Sequence, residues 1–124
     1  MKSESQYQKF LGDKLRSAGA MVLKLHGHAQ QSSGWPDLFI GHRIWTGWLE
    51  VKFQDGRWKN ELQRHRIRDL RFRNVPCFVI RWMAGHEVLE DEDGNIVGKL
   101  EGDGAERLKL LKHYWEVDRE KKNE

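Results

Sequence analysis

The chain has 124 residues, of which 38% are hydrophobic and 33% charged, and its formal net charge is +3. This size and balance fit one domain with a modest core, predicted to span residues 1–124. No apolar run approaches the roughly 20 residues of a membrane-spanning helix, and the N-terminus lacks a signal-peptide core. We therefore expect a cytoplasmic protein with no membrane association. The single cysteine, Cys77, excludes an intrachain disulfide, and its apolar neighbours predict a buried thiol on a strand.

The first half of the chain predicts one helix followed by three strands. Ser3 is positioned to cap the helix, with Gln6 three residues later as in a capping box, and Gly19 is positioned to end it. A polar loop precedes the second strand, and Gly47 is expected to break or bulge the third. The predicted bounds are 3–18 for the helix and 20–25, 35–40 and 44–53 for the strands, with a tight connection at 41–43.

The second half predicts a helix, a buried strand, a hairpin and a last helix. Asn60 is positioned to cap the first of these helices, and Asp93-Gly94 is a strong turn signal for the hairpin. The end of the chain, from Asp118 onward, is expected to fray. Helices and strands in this order predict an α/β fold with a mixed sheet flanked by helices. The predicted bounds are 61–74, 77–82, 86–89 with 95–99, and 105–120.

Charge is distributed unevenly along the chain. Residues 57–73 hold seven Lys or Arg against two acids, whereas residues 86–106 hold eight acids against Lys99 alone. The basic block is either a footprint for the phosphates of nucleic acid or a solvated helix face, and the sequence leaves both open. The acidic segment either keeps nucleic acid away from one face or serves a dimer contact.

Three charged residues interrupt the apolar strands that precede the basic block. Glu50 and Lys52 share one face of a strand, about 7 Å apart, because successive side chains alternate between faces. Such a pair is either a surface salt bridge or part of a site. Asp37 lies in the preceding strand, and antiparallel pairing would bring it near Glu50. Two adjacent carboxylates repel each other, and a divalent cation with oxygen ligands relieves this repulsion.

Two further polar residues share helix faces with apolar residues. Gln63 has the spacing of Ile67 and Leu70, which predicts that it faces the sheet. The alternative is that Gln63 only closes a capping box with Asn60. Glu4 begins the apolar face of the first helix, where an acid also suits the helix dipole.

The string Pro36-Asp37, followed after twelve residues by Glu50-Val51-Lys52, resembles the PD-(D/E)XK motif of the restriction-endonuclease-like nucleases. The surroundings resemble the VRR-NUC branch in its phage-type, stand-alone form. That branch adds an acid on the first helix, a glycine before the PD pair and a glutamine on the helix after the E-x-K strand. The resemblance covers about residues 3–82 and implies an αβββαβ core, to which a hairpin and a helix are added at about 83–120. The corresponding residues of this chain are Glu4, Gly34 and Gln63.

The resemblance implies a Mg2+- or Mn2+-dependent phosphodiesterase that hydrolyses DNA. It favours an endonuclease over an exonuclease, selective for branched, flap or junction structures. It allows a homodimer with two active sites, and it implies the cytoplasm of a bacterium or of a phage-infected host cell. Two alternatives remain open: a catalytically inactive nucleic-acid-binding module on the same fold, and a nuclease subunit that needs a partner.

The resemblance also assigns roles to residues. A bound metal would polarise the phosphate and lower the pKa of the attacking water. The implied catalytic residues are Asp37, Glu50, Lys52 and Gln63. The implied metal ligands are Asp37, Glu50, Glu4 and the carbonyl oxygen of Val51. Contacts to the DNA backbone are expected from basic residues in and just before the second helix and from a serine in the loop before the second strand, namely Lys59, Arg64, Arg66, Arg68 and Ser33.

Other residues near the motif have several interpretations. His26 and His28 are either polar loop residues or contacts to phosphate or metal. The segment from Glu90 to Asn95 faintly resembles a calcium loop, but it lacks the bidentate glutamate and is predicted to be a hairpin turn. Four tryptophans belong to the core, stack on unpaired bases or form a dimer contact: Trp35, Trp45, Trp48 and Trp58.

Overall fold

Helices and strands follow one another in the predicted order in the computed structural model, which describes residues 1–25, 34–56 and 61–122. The helices in these ranges are α1 (Glu4–Ser17), α2 (Glu61–Phe72) and α3 (Gly104–Lys122). The strands are β1 (Met21–Lys24), β2 (Leu38–Gly41), β3 (Gly47–Phe53), β4 (Cys77–Met83), β5 (His86–Glu90) and β6 (Ile96–Leu100). No helix of the described ranges is both long enough and apolar enough to cross a membrane.

The six strands form one mixed sheet in the order β1-β2-β3-β4-β5-β6. Neighbouring strands are antiparallel except for β3 and β4, which are parallel. A parallel pair needs a long crossover connection, and α2 provides it. The antiparallel pairing predicted for β2 and β3 is confirmed, with Leu38 opposite Leu49. The predicted mixed sheet flanked by helices is therefore the observed architecture.

The two faces of the sheet are covered by different helices. One face packs against α1 and α3, where Leu49 and Val51 of β3 belong to the main hydrophobic core. The alternate residues of β3, Glu50 and Lys52, lie on the other face, where Lys52 meets Gln63 of α2. Strand alternation therefore separates an apolar core from a polar layer on the opposite side of the same strand.

Strand β3 begins later than predicted, because a compact loop precedes it. The hydroxyl of Thr46 donates to the carbonyl of His42 at 2.8 Å and accepts from the amide of His42 at 3.1 Å. These bonds hold residues 42–46 as a loop, so β3 begins at Gly47 instead of Ile44. A Cβ atom at Gly47 would lie 2.6 Å from the carbonyl oxygen of Pro76, which explains why glycine stands at this point. Similarly, β2 begins at Leu38 and not at residue 35.

The predicted ends of α1 are confirmed. The Ser3 hydroxyl accepts a hydrogen bond from the amide of Gln6 at 3.1 Å, as an N-cap should. The side chain of Gln6 accepts from the amide of Lys2 at 2.7 Å, one residue earlier than a regular capping box requires. Gly19 follows the helix with φ +90°, a conformation that glycine adopts without strain.

The expectation that the chain frays from Asp118 onward is wrong, because α3 continues to Lys122. Asp118 lies 2.5 Å from Arg71 of α2, which is only 1% exposed. Arg71 also pairs with Glu92, beyond β5, at 2.6 Å. Its guanidinium carbon lies 5.4 Å from the ring centroids of both Phe78 and Trp115. This buried arginine ties α2, the β5–β6 turn and α3 together.

We expect Arg71→Met to lower the free energy of unfolding by about 3 kcal/mol, because it removes the buried cation between Glu92 and Asp118 and leaves them only the more exposed Lys122 and Arg119 as partners. Urea denaturation of wild type and variant measures this difference. The matched control is Arg73→Met on the same helix, since Arg73 forms only an exposed pair with Asp69 and its loss should cost less than about 1 kcal/mol. Equal small losses in both variants would show that Arg71 does not hold these elements together.

Candidate active site

The acid and the base of the E-x-K strand are buried together. Glu50 is 1% exposed and Lys52 is 2% exposed, and the Lys52 Nζ lies 3.2 Å from the Glu50 Oε2. The interpretation of this pair as a surface salt bridge is therefore wrong. Two charges removed from water cost several kcal/mol each unless partners satisfy them. The groups around Glu50 and Lys52 therefore have to satisfy their polar atoms.

Gln63 extends the pair onto α2. It is 6% exposed, and its Oε1 accepts a hydrogen bond from the Lys52 Nζ at 3.1 Å. The prediction that Gln63 faces the sheet is confirmed. The alternative capping box depends on Asn60, which lies outside the described residues. Lys52 is thus held between a carboxylate of its own strand and an amide of the helix that covers the strand.

Asp37 lies next to this arrangement, immediately before β2. The β2–β3 register pairs Leu38 with Leu49, so Asp37 continues the register opposite Glu50. Its Oδ2 accepts a hydrogen bond from the amide of Val51 at 2.8 Å. Its carbonyl accepts from the amide of Leu25 at 2.8 Å, which fixes its backbone to the end of β1. The predicted approach of Asp37 to Glu50 follows from this pairing.

The ionised form of Glu50 is disfavoured by its surroundings. Burial, and then the charge of Asp37, raise the pKa of Glu50 to about 8, against a smaller opposing effect of Lys52. Glu4, half-buried at the start of α1, also raises this pKa, so the acid of the first helix lies within electrostatic range. The Glu50 Oε2 faces Lys52, whereas the buried Oε1 has no hydrogen-bond partner among the residues that the structure describes. One oxygen of a buried carboxylate thus remains unsatisfied.

The residues present fit a hard divalent cation. The unsatisfied oxygen of Glu50 and the adjacent carboxylate of Asp37 are oxygen donors, which Mg2+ and Mn2+ prefer, and Mg2+ commonly takes only one or two carboxylates and keeps several waters. Within residues 1–25, 34–56 and 61–122, no three His, Cys, Asp or Glu side chains form a ready-made metal cage. The donor set therefore suits a partly hydrated cation and not a closed structural metal site.

The arginines predicted to bind DNA are engaged by the acidic hairpin. Asp93 lies 3.5 Å from Arg64 and 3.3 Å from Arg68, and Arg64 also donates to the carbonyl of Glu92 at 3.1 Å. The acidic segment thus neutralises part of the basic helix, a role beyond the two that its sequence left open. Arg66 differs, because its guanidinium stacks on Trp35 at 4.3 Å. The predicted contacts Ser33 and Lys59 lie outside the described residues.

The tryptophans near the motif divide between core and surface. Trp45 is buried and its ring lies 6.2 Å from that of Phe78. Trp35 and Trp48 are half-buried, and their centroids are 5.7 Å apart. A role of these two rings in base stacking or in a dimer remains a prediction. The other candidates, Trp58, His26 and His28, lie outside the described residues.

Sequence reasoning missed Arg81, which supports the strand that carries the site. It lies opposite Lys52 in the β3–β4 register and pairs with Glu90 at 2.8 Å. It also donates to the carbonyls of Gln54 and Gly56, both at 2.7 Å, and so holds the loop that follows β3. No short-range sequence pattern predicts this role of Arg81, because the role depends on the register of strands that are distant in sequence.

A comparison with solved structures finds a similar fold in Hjc from Archaeoglobus fulgidus, described as a Holliday junction resolvase from an archaeal hyperthermophile. The identity is 13%, the TM-score is 0.56, and the match covers 83% of this chain and 90% of that one. No family model and no curated protein matches the sequence. The likeness identifies the fold as restriction-endonuclease-like, as predicted.

In EDTA, we expect Glu50→Gln to melt at a higher temperature than wild type at about pH 9, and the two melting temperatures to converge near pH 5. Folding raises the pKa of Glu50 from 4.5 to about 8, so the folded state binds an extra proton between these values. The unfolding free energy of wild type therefore falls as pH rises through this window. Thermal melts across pH measure the effect, with the exposed Glu116→Gln as control. Parallel curves for wild type and Glu50→Gln would contradict it.

Proposed function

We propose that this chain is a metal-dependent nuclease that hydrolyses phosphodiester bonds in DNA, and that it belongs to the VRR-NUC branch of the PD-(D/E)XK nucleases. One observation carries the proposal. Glu50 is buried with one unsatisfied oxygen beside Asp37, while Lys52 is held on the same face by Glu50 and Gln63. A fold maintains such an unsatisfied group at a cost, which a ligand offsets when it binds.

The cation is assigned to oxygen donors around the unsatisfied Glu50 carboxylate. The amide of Val51 already orients Asp37 through its hydrogen bond, so one carboxylate is fixed before the cation arrives. Bound Mg2+ or Mn2+ supplies a Lewis acid for the phosphate and an activated water. The proposed ligands are Asp37, Glu50, Glu4 and the carbonyl oxygen of Val51.

Lys52 is the proposed electrostatic catalyst. Its ammonium is restrained between the Glu50 Oε2 at 3.2 Å and the Gln63 Oε1 at 3.1 Å. A cation fixed in advance at a buried position stabilises negative charge on the phosphate oxygens without a large reorganisation cost. Gln63 is the positioning residue that holds this ammonium in place, and Glu50 is shared between the ammonium and the proposed cation.

The proposed substrate is branched, flap or junction DNA, cut internally. The fold similarity to a protein described as a Holliday junction resolvase supports this choice. Cutting two strands of a junction requires two active sites, which a homodimer provides with one interface. A cytoplasmic location, in a bacterium or a phage-infected cell, accords with such a substrate.

The competing function is a nucleic-acid-binding module without catalysis, or a nuclease subunit that needs a partner. One observation favours it. Asp37 and Glu50 each use one oxygen within the protein, toward the Val51 amide and Lys52. In addition, Arg64 and Arg68 are paired with Asp93, which weakens the grip that the isolated chain has on a phosphate backbone.

The test is cleavage of labelled single-stranded, duplex, flap and four-way-junction DNA by purified protein. We expect cleavage with Mg2+ or Mn2+, strongest on the branched substrates, and none in EDTA. Glu50→Gln and Lys52→Met, which preserve side-chain volume, should each lower the rate about 100-fold or more. Thermal melts establish that each variant is folded.

The matched controls are Glu116→Gln and Lys112→Met, which make the same chemical changes at exposed positions of α3. They should retain wild-type rates. Binding without cleavage by wild type on every substrate would favour the inactive module, and cleavage gained only with an added host extract would favour the partner-dependent subunit. Cleavage that survives both Glu50→Gln and Lys52→Met would place the chemistry elsewhere.

A further inference from the structure

A groove of about 400 Å3 runs between α1 and β1, on the side of the molecule away from α2. Most of the surface that lines it is apolar, with Val22 and Leu38 among the lining residues, and polar and basic side chains surround this apolar surface. A Cβ atom at Gly12 would lie 3.2 Å from the guanidinium of Arg16, one turn further along α1, and 3.8 Å from Val22 of β1. The polar residues that line it are Ser5, Gln6, Gln8, Lys9, Arg16 and Lys24.

The groove and two acids of the candidate active site lie on the same two parts of the fold, the start of α1 and the start of β2. Two of its lining residues, Ser5 and Leu38, directly follow the site acids Glu4 and Asp37 in the chain. Lys24 lies opposite Leu38 in the β1–β2 register. Because successive residues of a strand face opposite sides of the sheet, the groove lies on the side opposite the Asp37 and Glu50 carboxylates, and Glu4 at the start of α1, within electrostatic range of Glu50, connects the two.

The cations of the groove are available to a ligand. Lys24 is exposed and has no acidic partner among the residues that the structure describes. Lys9 and Arg16 share one acid, Asp13, at 2.8 and 3.5 Å, and all three side chains are at least half exposed. Exposed pairs of this kind contribute only about 0–1 kcal/mol, so an incoming phosphate can replace Asp13 at little cost.

Two arginines of α2, across the sheet from the groove, are less available to a phosphate. Arg64 and Arg68 of α2 are paired with Asp93. The turn that carries Asp93 is itself anchored, because the adjacent Glu92 is bound to the buried Arg71 at 2.6 Å. A phosphate that approaches these two arginines must compete with an acid that the fold holds in position.

We propose that the α1–β1 groove binds the phosphodiester backbone of the DNA strand that enters the active site, with Lys24 as its principal phosphate contact. The inference rests on the proposed function and extends it to a surface that charge counting along the sequence does not indicate. Lys9 and Arg16 supply further phosphate contacts once they leave Asp13, and Gln8 and Ser5 supply neutral hydrogen bonds to the backbone.

The test is binding of fluorescent branched DNA in EDTA, followed by anisotropy over a range of salt concentrations. Lys24→Gln should weaken binding about threefold to tenfold and lower the slope of log affinity against log salt by about one. Lys112→Gln, the same charge change on α3, should leave affinity within about twofold. Asp13→Asn should tighten binding, because it frees Lys9 and Arg16.

Cleavage of the same DNA with Mg2+ separates this inference from the proposed function. If wild type cleaves the DNA but Lys24→Gln and Lys112→Gln bind it with equal affinity, the proposed role of the groove is overturned and the nuclease function is retained. If Lys24→Gln binds the DNA more weakly but wild type does not cleave it, the proposed role of the groove is retained and the nuclease function is overturned. If wild type neither binds nor cleaves DNA, both are overturned. Weaker binding by Asp13→Asn would also contradict the groove.

Discussion

The structure depends on an acid and a base buried together, Glu50 and Lys52, on a strand whose alternate residues form the apolar core. Such a pair persists only if its remaining polar atoms are satisfied. The fold satisfies most of them: Gln63 meets the ammonium, and the Val51 amide holds the neighbouring carboxylate of Asp37. Within the described part of the chain, the Glu50 Oε1 is left without a partner. This buried oxygen is the basis of the proposed cation site, because a divalent cation would satisfy it and would offset the repulsion between Glu50 and Asp37.

The need to pair a buried charge also explains the contacts around Arg71. Arg71 is buried between Phe78 and Trp115 and is neutralised by Glu92 and Asp118. This network fixes α2 against the sheet, so it also fixes the helix that presents the amide above the E-x-K strand. The network also affects function. The pairing of Arg71 with Glu92 anchors the β5–β6 turn, which places Asp93 against the basic face of α2. The surface that is richest in arginine by sequence is therefore partly neutralised, whereas the groove between α1 and β1 carries the exposed Lys24.

Much of this arrangement follows from local patterns. Strand alternation and the short connection after β2 predict that Asp37 approaches Glu50, and helical spacing predicts that Gln63 faces inward. The contacts of Arg71 and Arg81 could not be predicted, because they join segments far apart in sequence and depend on register. The expected fraying after Asp118 failed for the same reason: a charged C-terminal segment resembles a solvated tail until its buried partner is known. The late start of β3 reflects the loop closed by Thr46, which propensity alone does not reveal.

The most direct test of this account is calorimetric titration of Mn2+ into metal-free protein at a pH above the pKa of Glu50, where its carboxylate is ionised. The account predicts that wild type binds Mn2+ and that Glu50→Gln binds it at least about tenfold more weakly, because the unsatisfied oxygen becomes a neutral amide. Lys112→Gln should bind as wild type does. Equal binding by wild type and Glu50→Gln, or no binding by wild type, would contradict the claim that the fold keeps Glu50 unsatisfied for a cation.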